Sequence, residues 1–215
     1  MTASATVPLS LSVQQLEIWR GDRCLCRDLT FQLAAGAAIH VQGPNGCGKT
    51  TLIRVLTGLG RADDGEVRWC GYLREEDKAD YRAAIAYVGH GNGVKLGLTP
   101  RENIEVAIAL LAQSTPVAVD PVLVRVGLER QADLPCGMLS MGQRRRTALA
   151  RLLLGYVPLW FLDEPLTSLD TAGVSLITGM LKQHLAGGGL AVFASHQPLD
   201  LRPFPVQSLI LGAAA

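Results

Sequence analysis

The chain is 215 residues long, 48% hydrophobic and 18% charged, with a formal net charge of +1. That composition suits one globular domain with a substantial core and excludes a disordered chain, and so small a net charge gives no reason to expect nucleic acid as a partner. The five cysteines, Cys24, Cys26, Cys47, Cys70 and Cys136, are odd in number and form no CxxC pair, which fits reduced thiols better than a disulfide framework.

The opening MTASATVPLS lacks a basic segment followed by a long apolar one, so no secretory signal is expected. LSVQQLEIW and LTFQL partly alternate apolar and polar residues, as half-buried strands do. Cys24 and Cys26, two apart on one face of a strand, read as small core hydrophobes. AAIHV is a short apolar run leading into a glycine loop, and KTTLIRVLTGL after it has apolar residues at helical spacing. A turn at Asp63, Asp64 and Gly65 precedes another strand, GEVRWCGYL, and IAYVGH ends a further one. TPRENIEVAIALLA opens with Thr99 and Pro100, and Glu102 completes a capping box, so a helix is expected. DPVLVRVGL and SMGQRRRTALARLLL are expected as two more helices, which makes residues 91–154 a mostly helical block. PLWFL and GLAVFAS are continuous apolar strands, DTAGVSLITGMLKQHLA is a helix capped by Asp170, and SLILG is a final strand. Alternating strands and helices imply a parallel sheet with helices packed on it. No apolar stretch approaches the roughly 18 to 20 residues of a membrane span. The greasiest, LARLLLGYVPLWFL, is broken by Arg151, Gly155 and Pro158, so a soluble chain that meets a membrane only through a partner is expected.

Four stretches carry chemistry. Residues Gly43, Pro44, Asn45, Gly46, Cys47, Gly48, Lys49 and Thr50 match G-x-x-x-x-G-K-[ST], followed by Thr51. Bare backbone N–H groups can converge on phosphate oxygens, glycine permits the positive φ this needs, and the next helix aims its positive end at the same anion. Lys49 can then reach the β- and γ-phosphates, and the Thr50 hydroxyl can sit on Mg²⁺. In LSMGQRRR, Ser140 and Gln143 form a capping-box pattern. Either Ser140 simply caps its helix, or Ser140, Gly142 and the helix N-terminus make a second anion site, since glycine in a first turn otherwise weakens a helix. Arg144 to Arg146 read as a solvated basic face. PLWFLDEP puts Asp163 and Glu164 at the C-terminal end of a buried strand, the edge where ligands of α/β sheets collect. There Asp163 helps hold Mg²⁺ and Glu164 takes a proton from the attacking water. His196 ends the next strand at the same edge, within reach of the γ-phosphate or that water.

With these stretches in this order, nearly the whole chain resembles the ATP-binding subunits of ABC transporters. Gly43–Thr51 matches the Walker A motif, Leu139–Gln143 the signature, Leu159–Glu164 Walker B, Ser168–Asp170 the D-loop and His196 the switch histidine. The resemblance implies an α/β P-loop NTPase of the ABC ATPase type, with a mixed-sheet core, an antiparallel β subdomain and a helical subdomain. It divides the chain into 1–90, the first part of the core with the β subdomain, the helical block 91–154, and 155–215, the second part of the core. It implies ATP and Mg²⁺ as ligands, with Lys49, Glu164 and His196 catalytic and Thr50 and Asp163 on the metal. It implies a head-to-tail pair in which ATP lies between the Walker A loop of one copy and Ser140, Gly142 and Gln143 of the other. Trp19 is the expected aromatic on the adenine. Two departures stand out: His90 replaces the usual glutamine, and Met141 a small signature residue.

YVGHGNGVKLGLTPRENI, Met141 and SHQPL are more narrowly similar to the haem exporter ATPases of bacterial cytochrome c maturation. That likeness implies integral membrane subunits of a cytochrome c maturation complex as partners, at the cytoplasmic face of the inner membrane, and a role in haem export or in release of a haem-loaded chaperone. No CxxCH occurs, and no direct haem contact is expected. An exporter of another small molecule or peptide is the alternative.

Overall fold

The computed structural model describes residues 8–111 and 117–212. Two sheets organise it. An antiparallel sheet, in the order β2-β1-β4-β5, uses β1 (Ser10–Arg20), β2 (Arg23–Ala34), β4 (Asp64–Trp69) and β5 (Tyr72–Leu73). A five-stranded sheet, in the order β6-β7-β8-β3-β9, uses β6 (Ile85–Val88), β7 (Leu159–Asp163), β8 (Leu190–Ala194), β3 (Ala38–Gln42) and β9 (Val206–Ile210). Every pair in the second sheet is parallel, so parallel and antiparallel pairing are segregated between the two sheets.

The period-two geometry of a strand sends alternate residues of β7 and β8 into two cores. Leu159, Phe161, Leu190, Val192 and Ala194 join a core with α1 (Lys49–Leu56) and the antiparallel sheet. Trp160, Leu162, Ala191 and Phe193 face the other way, toward Ala148 and Leu149 of α5 (Met141–Leu149) and Ile177, Met180 and Leu181 of α6 (Thr171–Ala186). This two-sided burial is why both strands read as unbroken apolar runs. A third core lies in the helical block, between Ile104 of α3 (Pro100–Leu110), Val122 and Leu123 of α4 (Val119–Arg125), and Ala150 and Leu154.

The expected caps form. Thr99 accepts from the Glu102 N–H at 3.1 Å while Glu102 accepts from the Thr99 N–H at 2.8 Å, and Asp170 accepts from the Gly173 N–H at 2.8 Å. Several features differ from the sequence reading, the first being that GEVRWCGYL, expected as one strand, is the antiparallel pair β4 and β5 joined by a turn at Cys70 and Gly71. The third helix of the block is α-helical only to Leu149 and tightens to a 3-10 turn over Ala150–Leu153. The end of the block faces two cores: Ala148, Leu149 and Leu152 pack on the parallel sheet while Ala150 and Leu154 stay in the core of the block. A short helix, α2 (Lys78–Ala83), follows β5, with Asp77 accepting from the Asp80 N–H at 3.1 Å. All five cysteines are free thiols; Cys26 packs against the first core, and burial, assisted by Cys24, pushes its thiol up to about 11.

Candidate active site

Parallel pairing brings the chemical residues to one edge. Val41 and Asp163 both pair with Ala194, and Val88 pairs with Leu162. The segments that leave β3, β7, β8 and β6 at their C-terminal ends therefore meet: the glycine loop, Asp163–Glu164, Ser195–His196 and Gly89–His90. Together they border a cavity of about 730 Å³ to which Asn45, Gly46, Gly48, Lys49, Thr50 and Thr51 contribute on one side and His90, Glu164, Thr167 and His196 on the other.

The loop geometry explains its glycines. Gly43 has φ +145°, and a Cβ there would lie 2.5 Å from the Leu211 carbonyl oxygen. Gly48 caps α1 with φ +113°, a conformation a side chain would strain. Cys47 turns inward to the core, and its N–H donates to the Pro44 carbonyl at 3.3 Å. Lys49 is 7% exposed; its Nζ donates to the carbonyls of Gly43 at 2.8 Å and Pro44 at 3.2 Å. It has no acidic partner among the described residues, so its charge is held by loop dipoles beside the opening.

Asp163 is fully buried. Its Oδ1 accepts from the Thr50 hydroxyl at 3.1 Å, while its Oδ2 has no hydrogen-bond partner. An orphaned buried carboxylate oxygen beside a hydroxyl is a donor set suited to a hard divalent cation. Glu164 sits in the left-handed region at φ +52°, uncommon for a residue with a side chain. Its Oε1 lies 3.3 Å from His196 Nε2, at an angle that makes an electrostatic contact and no hydrogen bond. Oε1 itself is buried, but the Glu164 side chain borders the cavity beside an imidazole half-open to solvent, and a carboxylate so placed suits proton abstraction from a water. Behind it, buried His40 lies 2.9 Å from the Ser195 carbonyl through Nε2 and 2.8 Å from Gln42 Nε2 through Nδ1, which steadies the main chain next to His196. If Gln42 donates to Nδ1, the Nε2–H tautomer satisfies both contacts.

Ser140, Gly142 and Gln143 are not part of this cavity. They border a separate one of about 600 Å³, with Met141, Ser168 and Asp170, and the two cavities share no lining residue. The Ser140–Gln143 capping box is present, with Ser140 Oγ accepting from the Gln143 N–H at 3.2 Å and Gln143 Oε1 from the Ser140 N–H at 2.9 Å. Gly142 is required by its own chain: a Cβ would stand 2.7 Å from the Ser168 carbonyl oxygen. Trp19 also lies outside the nucleotide-sized cavity. Its ring carries the Arg27 guanidinium at 5.3 Å and its Nε1 donates to Glu17 at 3.3 Å, while the neighbouring hairpin turns Arg20, Arg23 and Leu25 to the cavity wall.

The solvated basic face expected of Arg144–Arg146 is corrected by the structure. Arg145 is 2% exposed, Arg144 donates to the carbonyls of Cys136 at 2.9 Å and Gly137 at 2.7 Å, and Arg146 pairs with Asp170 at 2.7 Å. The signal was in the spacing: Arg145, Ala148, Leu149 and Leu152 recur at helical period, which places the arginine on the buried stripe.

A glycine loop, a buried carboxylate and a strand-end glutamate and histidine at one parallel-sheet edge define an ABC-type ATPase subunit, and the comparisons agree. The ABC transporter family model matches residues 26–167, and the chain belongs to that family. Within it, the chain groups with the cytochrome c biogenesis ATP-binding export proteins. It is 47% identical over 193 residues to that of Methylococcus capsulatus, covering 89% of this chain and 93% of the relative. It is 42% identical over 213 residues to that of Nitrosomonas europaea, covering 99% and 100%. Among solved structures, an ATP-binding subunit of an ABC transporter superposes with TM-score 0.81 at 24% identity, covering 94% of this chain and 85% of that one. A dimeric ATP-binding cassette with ADP and phosphate superposes with TM-score 0.77 at 22% identity, covering 93% and 94%. At those identities the structures speak to the fold.

Proposed function

We propose that this chain is the ATP-hydrolysing subunit of an ABC-type membrane complex in cytochrome c biogenesis, energising haem export or the release of a haem-loaded chaperone. The observation that carries the hydrolytic part is the single cavity that gathers the glycine loop, Lys49, Thr50, Glu164 and His196. The cytochrome c part rests on the relatives at 47% and 42% identity, which are named for that process.

In this reading the amides of residues 43–51 bind the phosphates, and Lys49 moves from the loop carbonyls to the β- and γ-phosphates. Thr50 and Asp163 would hold Mg²⁺, which when bound supplies charge neutralisation on the phosphate oxygens. Glu164 orients the water and takes its proton; His196 fixes that carboxylate and the terminal phosphate. The base rests against the hairpin, where the guanidinium planes of Arg20 and Arg23 offer a stacking surface beside Trp19. Ser140, Gly142 and Gln143 close on the nucleotide of a second, head-to-tail copy; their separation from Lys49 within one chain supports that pairing. No helix among the described residues is long and apolar enough to cross a membrane. Contact with membrane subunits falls to the helical block, where Leu110 of α3 and Tyr87 of the adjoining β6 border an apolar groove of about 320 Å³. The test is co-purification from bacterial membranes. Recovery with the integral subunits of a cytochrome c maturation complex is expected, and recovery with unrelated permease subunits would remove the haem assignment.

A further inference from the structure

We propose that Arg145 is a positioning residue for hydrolysis: it fixes the main chain of Glu164 and of the Gly89–Asn92 loop to the signature helix. The role rests on the reading of Glu164 as the base. Arg145 lies on α5, four to five residues past the signature tip at Ser140 and Met141, yet none of its donors serves its own helix. Nη2 donates to the carbonyls of Asp163 at 3.0 Å and Glu164 at 2.9 Å, and Nε to that of Pro165 at 3.3 Å. Nη1 donates to the Gly89 carbonyl at 2.7 Å and to Asn92 Oδ1 at 3.0 Å. One planar fork therefore joins three separate pieces: the signature helix, the strand end that carries Glu164, and the loop that carries His90 into the cavity.

Such a fork is needed because Glu164 is strained. A non-glycine residue at φ +52° persists only where its surroundings over-determine it. Three bonds do so: the Glu164 N–H donates to the Ala194 carbonyl at 2.9 Å, and its carbonyl accepts from the Thr167 N–H at 3.2 Å and from Arg145 at 2.9 Å. Burial works against the guanidinium charge and pulls its pKa down, while the nearby carboxylates of Asp163 and Glu164 oppose that pull. Its acceptors are main-chain carbonyls and one amide, so the group is spent on geometry and not on a single ion pair. Lysine has the charge and lacks the fixed fork.

The test compares Arg145→Lys and Arg145→Ala with the parent and with Glu164→Gln, each first melted to establish folding. Nucleotide affinity is read with a non-hydrolysable ATP analogue and Mg²⁺, and kcat separately. We expect Arg145→Lys to lower kcat about 10- to 100-fold, the scale of a small misplacement of a catalytic group. Affinity should stay within about twofold, because uniform binding is untouched. Added methylguanidinium should restore part of the kcat of Arg145→Ala. A lysine variant within about twofold of the parent, equal losses of affinity and kcat, or no rescue in a folded alanine variant would each overturn the positioning role. Failure of both variants to melt cooperatively would overturn it too, by making Arg145 a determinant of folding. Normal turnover by Glu164→Gln would instead remove the base on which the proposal rests.

Discussion

Replacing Lys49 by methionine isolates the contribution of one charge. Methionine keeps most of the buried stem and removes the ammonium that now donates to the Gly43 and Pro44 carbonyls. Bringing that charge to about 3 Å from a phosphate oxygen gains about 5.5 kcal/mol at an effective dielectric of about 20. Giving up the two carbonyl bonds costs about 1.5 kcal/mol each. The surplus of about 2.5 kcal/mol corresponds to an approximately 70-fold weaker Kd in Lys49→Met. The empty fold gives up the same two bonds, about 3 kcal/mol on the same count. Its melting temperature should fall by about 6–12 °C, the scale of that loss in a chain this size, with the transition still cooperative. Titration with a fluorescent ATP analogue and Mg²⁺ gives the first number and a melting curve the second. Unchanged affinity would refute the cradle, and a collapse of the empty chain would refute the placement of the lysine at a ligand-facing rim.

Glu164→Gln should bind ATP and turn it over about 10²- to 10⁴-fold more slowly, the usual loss of a general base, with the dimer accumulating in light scattering; near-normal turnover would put the base elsewhere. Ser140→Ala removes the oxygen that accepts from the Gln143 N–H and should cost about 1 kcal/mol, read as a fall of about 2–4 °C in Tm. Burial holds His184 below the usual imidazole range as it stacks on Trp160 at 3.9 Å. The unfolded chain therefore takes up a proton below about pH 6.5 that the folded chain refuses. Stability from this group is complete above that pH and is lost as the pH falls toward the lower folded value. His184→Phe keeps the stack and should flatten the acid limb of Tm against pH; an unchanged limb would assign it to other groups.

Much of this was legible because it is local. The glycine loop, the capping boxes at Thr99 and Ser140, and the two-sided apolar runs of β7 and β8 are each decided within a few residues of chain. What escaped depends on neighbours distant in sequence. Nothing local says that the parallel sheet runs β6-β7-β8-β3-β9, or that Leu211 closes over Gly43. Arg145 lay hidden in a run of three arginines, since only its place on the apolar stripe distinguishes it from its neighbours. Trp19 and Arg20 differ by a single step along β1, and which of them meets the cavity is set by shifts in register against β2 between Leu16 and Trp19. Helix α2 is too short for periodicity to announce it, and its only cue was Asp77 as a cap.

The approach of Gly142 to the Ser168 carbonyl leaves no slack. Ser168 is four residues from Glu164, so the signature tip is wired by main chain to the strand end that carries Glu164 in the same molecule. In the proposed head-to-tail pair each copy would feel its partner's nucleotide through its own catalytic strand, which would give the two sites a material reason to keep common time.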